Sequence, residues 1–247
     1  MKKLNWQVVL GVSLVVLSAV LYTIHYFIFR DLHHIFIYMV GDIAFVPIEV
    51  LMVTLIIHRV LTDREKKAML KKLNMVIGAF FSEVGLKLLP TFANFDHKSD
   101  DVKKELSQMK NWSTSDFKKA SNMMENYDFK IDSNLGDLKE LQVFLTKRRN
   151  FLLRLLENPN LLEHETFTEL LWAVFHLTEE LEYRSDLDDL PHTDMTHISG
   201  DIKRVYVLLL NRWIDYVMHL KDQYPYLYSL AVRTNPLDED ASPIVKS

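Results

Sequence analysis

Hydrophobic positions along this chain follow two regimes. Before about residue 60 they run almost without interruption; after it they recur at every third or fourth position. Trp6 to Phe29 is 24 residues without Asp, Glu, Lys or Arg. As a helix rising 1.5 Å per residue it reaches ~36 Å, enough to cross a hydrocarbon core of ~30 Å with some tilt. Ile35 to Ile57 is a second run of 23 residues with only two charges, Asp42 and Glu49. The short link Arg30–His34 forces the two into an antiparallel hairpin. Tyr22, Tyr26 and Tyr38 fall near one boundary and Trp6 near the other, where amphipathic rings favour the interface. Met1-Lys2-Lys3 has the charge of a signal peptide, but the apolar run is too long and lacks a small-x-small cleavage site, so an uncleaved anchor is expected.

Beyond residue 60 the period is helical throughout, and no segment alternates convincingly with period two. Met69, Leu73, Val76/Ile77, Phe80/Phe81, Val84 and Leu88 predict that the second helix continues from Arg64 to Leu89. Gly78, Ser82 and Gly85 form a ridge of small residues suited to close helix contact. Further helices are predicted over Asp100–Lys110, Ser113–Tyr127, Asn134–Glu157, Thr166 to about Arg184, Asp194 to about Gln223, and Tyr224–Arg233. Ser113-x-x-Asp116 reads as a capping pattern, Thr166-x-x-Glu169 caps another helix, and Asp194 can cap the longest. Pro90, Pro159, Pro191, Pro225, Pro236 and Pro243 sit between the predicted helices; only Pro47 interrupts one. The expectation is an all-α protein: a transmembrane hairpin in residues 1–60 (spans about 6–29 and 35–57), a cytoplasmic helical bundle in 61–234 continuous with the second span, and a flexible tail in 235–247.

Charge sets the orientation. Residues 1–90 carry 10 Lys/Arg against 6 Asp/Glu, and residues 91–247 carry 19 against 27. The hairpin tip holds Arg30 alone, whereas Arg59, Arg64, Lys66, Lys67, Lys71 and Lys72 cluster after the second span. The positive-inside rule then places both termini in the cytoplasm of a multi-pass cell-membrane protein, with that cluster against lipid headgroups. An acidic distal part argues against nucleic acid as a partner. With no Cys there is no disulfide framework, thiolate nucleophile or Cys-ligated zinc site.

Candidate chemistry starts with Asp42 and Glu49. Seven residues at 100° each fall 20° short of two turns, so both carboxylates share one face, about 10 Å apart along the axis. A charged carboxylate at mid-membrane costs several kcal/mol, so each needs a partner, a proton or water. Pro47, between them, frees the carbonyl of Ile43. Counted from the hairpin tip, His25 lies at nearly the depth of Asp42 and Ser18 at that of Glu49. Interhelical bonding is one expectation; an oligomer whose second helices line a cation or proton path is the other. A weaker candidate is a metal site drawn from His176, Glu180, His192 and His197, because imidazole with carboxylate suits zinc, manganese or iron. Glu-x-x-His, His-Glu-x-x-His, Gly-x-Gly-x-x-Gly and Gly-Lys-Ser/Thr are all absent. No catalytic residue and no cofactor are expected. Lys147-Arg148-Arg149 is a basic run on a helix, and Trp213, Tyr216, Tyr224, Tyr226 and Tyr228 make the last long stretch aromatic.

The segments LNMVIGAFFSEVG (Leu73–Gly85) and HLKDQYPYLYSLAVRTNP (His219–Pro236) resemble hypothetical prokaryotic membrane proteins. The resemblance implies two membrane helices with a helical cytoplasmic domain and assigns no activity or site residue. The expectation is therefore a membrane-anchored interaction, sensory or scaffold protein. Its partners would be the lipid bilayer, further copies of itself and an unidentified cytoplasmic protein. A small oligomeric channel is the alternative, and a metal-dependent enzyme the third reading.

Overall fold

A computed structural model gives the architecture; it describes residues 6–161 and 164–245, and only the backbone of 66–71 and 160. The fold is all-α. No strand occurs among the described residues, only an isolated antiparallel bridge between Asp96 and Ile131. The chain divides into two compact units, Met1–Lys67 and Ala68–Ser247.

The first unit holds α1 (Trp6–Phe29) and most of α2 (Leu32–Phe80). Both are long and apolar enough to cross a membrane. None of α1 is buried, and the side chains of α2 between Leu32 and Glu65 are exposed apart from half-buried His34, Ile35 and Met39 near the tip. Only Arg30 and Asp31 separate the helices. Arg30 takes a left-handed backbone, φ 47°, and its amide bonds to the Tyr26 carbonyl at 2.7 Å, which ends α1 in one residue. Asp31 then caps α2, its Oδ1 accepting from the amides of His33 and His34 at 2.9 and 3.2 Å.

In the second unit α2 passes into a π-helical turn (Phe81–Gly85) and α3 (Leu86–Ala93). Pro90 was expected between helices and lies inside α3 instead. Its missing donor costs α3 the bond to Leu86, and the helix ends less than one turn later. Residues 72–93 also have the length and composition of a membrane span, but Leu73, Phe80, Phe81, Val84, Leu88, Leu89 and Phe92 are buried inside this unit. There follow α4 (Ser99–Leu106) with a 3₁₀ turn, α5 (Thr114–Asn126), α6 (Leu138–Leu156), α7 (Glu165–Glu182), α8 (His192–Gln223) and α9 (Pro225–Arg233). Ser113 and Asp116 form the reciprocal capping box read from the sequence. α6 starts later than the predicted Asn134, because Asp137 is its N-cap. His164 caps α7, rather than Thr166, and Asp194 lies within the first turn of α8, not before it.

Helix α8 is the axis of this unit. Its buried positions from Ile198 to Leu220 go most of the way round it, and α3, α5, α7 and α9 all pack on it. Tyr206 and Trp213 are its largest buried side chains. Of the small residues, Gly78 serves the close helix contact expected of it, whereas Gly85 makes room for a ring of its own turn. A Cβ on Gly78 would stand 2.8 Å from the Tyr216 hydroxyl of α8, and one on Gly85 would stand 2.5 Å from the Phe81 ring. Asn235 and Leu237, placed by the sequence in the flexible tail, are buried; Asn235 Nδ2 donates to the Leu106 carbonyl at 2.8 Å.

Candidate functional site

Asp42, Pro47 and Glu49 all lie within α2 and are exposed. Neither carboxylate has a hydrogen bond or ion pair among the described residues. His25, expected at the depth of Asp42, is turned toward the tip: its ring lies 4.7 Å from Phe29 and stacks 5.8 Å from His34. The His34 ring in turn meets Tyr38 edge-on at 4.6 Å. The expected His25–Asp42 bond is therefore not made, since ring stacking near the tip holds the imidazole. Arg59, Arg64 and Lys72 are exposed; the side chains of Lys66, Lys67 and Lys71 lie outside the described residues.

The basic run of α6 is engaged between helices. Arg148 reaches Glu83 at 3.0 Å, and Arg149 reaches Glu182 at 3.2 Å and Glu179 at 3.5 Å while lying over the Phe175 ring.

A second constellation forms where α7 packs on α8. Each helix contributes a histidine and a carboxylate one turn apart: His176 and Glu180 from α7, His197 and Asp201 from α8. Four residues along a helix turn 400°, only 40° past a full circle, so each pair points the same way. His176 Nε2 stands 3.5 Å from Asp201 Oδ2 and 3.8 Å from Glu180 Oε1. His197 Nε2 stands 3.3 Å from Asp201 Oδ2 and 3.6 Å from Glu180 Oε2. The imidazoles are about half exposed, whereas Asp201 is 4 % exposed.

Arginines hold the carboxylates from behind. Arg184 donates to Glu180 Oε2 at 2.7 Å and forks onto both oxygens of Asp194 at 2.6 and 2.7 Å. Hydrogen bonding to that guanidinium holds the carboxyls of Glu180 and Asp194 below the usual carboxylate range, and Asp194 in turn raises the arginine. Arg204 approaches Asp201 Oδ1 at 3.3 Å.

Sequence reading named His176, Glu180 and His197 but also His192, which does not join them. Five residues from His197, it sits 140° round α8 and lines a separate cavity of about 340 Å³ with His97, Asp132 and Ser199. Asp201 was missed, although its spacing from His197 repeats that of Glu180 from His176.

Two family models match in tandem. One, described as the N-terminal helical domain of MJ1433, covers residues 2–61; the other, described as the C-terminal helical domain of uncharacterized protein MJ1433, covers residues 69–233. The uncharacterized protein MJ1433 of Methanocaldococcus jannaschii is 47% identical over 234 residues, spanning 95% of this chain and 94% of that protein. No solved structure matches the chain. Two helical domains matched in order, with near-complete coverage of a relative, show that the chain belongs to the MJ1433 family.

Proposed function

We propose that this protein is a membrane-anchored homo-oligomer whose α2 helices meet in the bilayer at Asp42 and Glu49. It would hold its C-terminal helical domain at the cytoplasmic surface as an interaction module. The observation that carries this reading is that two intramembrane carboxylates on one face have no partner among the described residues of their own chain. An ionised carboxylate in hydrocarbon costs about 2.5–3.5 kcal/mol or more, and a carboxyl that carries a proton can donate to a carboxylate of a second α2, to its Ile43 carbonyl freed by Pro47, or to trapped water, which relieves the cost. The surplus of Lys and Arg after the second span supports a cytoplasmic domain.

The test is the oligomeric state of the full-length chain in mild detergent and in nanodiscs, by light scattering. A defined oligomer that loosens in D42N/E49Q supports the proposal; a monomer in both media refutes it. The shared face also favours a second reading, stacked carboxylate rings around a cation or proton path. That reading requires ion flux in liposomes that D42N/E49Q abolishes, and a dimer too small to enclose a path would remove it.

A further inference from the structure

The constellation between α7 and α8 lies within the second unit, apart from the carboxylates of α2 in sequence, and its geometry calls for an occupant of its own. We propose that His176, His197 and Asp201 bind one divalent first-row transition-metal ion of the zinc class, with Glu180 beside the fourth position.

The donor atoms of these three residues all lie within 4.8 Å of one another. Zinc binds nitrogen and oxygen ligands at about 2.0–2.1 Å, so the edge of a tetrahedral site is about 3.3–3.4 Å. The two imidazole nitrogens stand 3.3 and 3.5 Å from Asp201 Oδ2, close to such an edge. Glu180 lies farther from the same nitrogens, at 3.6 and 3.8 Å, which suits a carboxylate that closes on the ion or holds its water.

Asp201 supplies an independent sign. Its side chain is 4 % exposed, and Oδ2 is buried without a hydrogen bond. That oxygen points at both imidazoles, yet neither donates to it with hydrogen-bond alignment. A buried carboxylate oxygen left in this way asks for a cation. A metal ion between the three atoms meets the need of Oδ2 and of both imidazole lone pairs together.

The surroundings are those of a metal site. Arg184 occupies Glu180 Oε2 and leaves Oε1 free, and Arg204 faces Asp201 Oδ1 and leaves Oδ2 to the imidazoles. Outer contacts of this kind fix ligand orientation. All ligands stand on packed helices, and the half-exposed imidazoles leave a way in from solvent. Two imidazoles in the set select against calcium and magnesium, which take oxygen ligands.

The test uses the full-length chain in detergent, stripped of metal, with zinc competed against a chromophoric chelator and with cobalt(II) as a spectroscopic probe. The expected result is one tight site per chain and the intense visible absorption of four-coordinate cobalt. H176A and D201N should each weaken zinc by more than about 100-fold, beyond what loss of a mere outer contact costs. H192A and H33A/H34A should leave the affinity unchanged. Because Asp201 is buried, circular dichroism checks the fold of D201N; if it is lost, H176A, altered at a half-exposed position, decides. Sub-stoichiometric zinc in the wild type, unchanged affinity in H176A, or the pale spectrum of six-coordinate cobalt would each overturn the assignment. None of these outcomes depends on the oligomeric state in the bilayer.

Discussion

One substitution, glycine to alanine, should move stability in opposite directions at two helical positions. At Gly85 the new Cβ would lie 2.5 and 3.0 Å from Cδ1 and Cε1 of Phe81 and 3.3 Å from Cε1 of Phe80. Carbon contacts are comfortable at about 3.5–4.0 Å, so the Phe81 ring would have to move by about 1 Å. It has nowhere to go: it is 1 % exposed, with its centroid 5.2 Å from both Trp213 and Tyr216. Overpacking costs about 1–3 kcal/mol, and a contact as short as 2.5 Å against a ring that cannot move puts Gly85 in the upper part, about 2–3 kcal/mol, of which the gain in helix propensity returns about 1 kcal/mol. The net expectation for G85A is a loss of about 1–2 kcal/mol. At Gly200, inside α8, a Cβ meets nothing within 4 Å, so G200A keeps the whole gain of about 1 kcal/mol. For a domain of this size 1 kcal/mol shifts Tm by about 2–4 °C. G85A should therefore melt about 2–8 °C below the wild type and G200A about 2–4 °C above it. The assay is thermal unfolding of the full-length chain in detergent, followed by near-ultraviolet circular dichroism, to which buried Trp213 contributes. Shifts of the same sign, or a G85A variant as stable as the wild type, would refute the packing described around Phe81.

Further expectations concern a cap and the C-terminal segment. His164 caps α7 through Nδ1, which accepts from the Phe167 amide at 3.3 Å, and burial, aided by nearby Arg212, lowers its pKa below 6.5. A histidine with a depressed folded pKa favours the fold while neutral. Its contribution is whole above 6.5 and declines as pH falls from there toward the folded value. Denaturant midpoints between roughly pH 7 and roughly pH 5 should therefore fall less for H164N, which keeps an acceptor that does not titrate; equal slopes would count against the cap. N235A removes the donor to the buried Leu106 carbonyl and should cost about 1–3 kcal/mol, whereas a change below about 0.5 kcal/mol would show that this segment is not docked.

The sequence alone determined the elements that rest on local rules. Twenty or more apolar residues in a row have no burial available inside a small domain, so α1 and the first half of α2 were legible from composition and length. The capping box at Ser113 and Asp116 was equally plain, because both partners lie within one turn. Local rules failed where a neighbour competed. Pro90 was taken for a break, yet α3 runs on through Ala93, with Leu88, Leu89, Phe92 and Ala93 buried on either side of it. Thr166 was read as a cap, but His164 presents its ring nitrogen two residues earlier.

What only the tertiary structure decided was which faces meet. The one-turn spacing of His176 with Glu180 and of His197 with Asp201 is written in the chain, but two such pairs form one constellation only if α7 and α8 pack in the right register. That register rests on long-range burial of apolar residues of both helices, such as Val174 of α7 and Val205 of α8, which no local window contains. The same packing buries Asp201 and leaves His192 on another face. The two carboxylates of α2 mark the converse case: the sequence placed them on one face, and the structure showed that His25, held by the ring of His34, does not reach them.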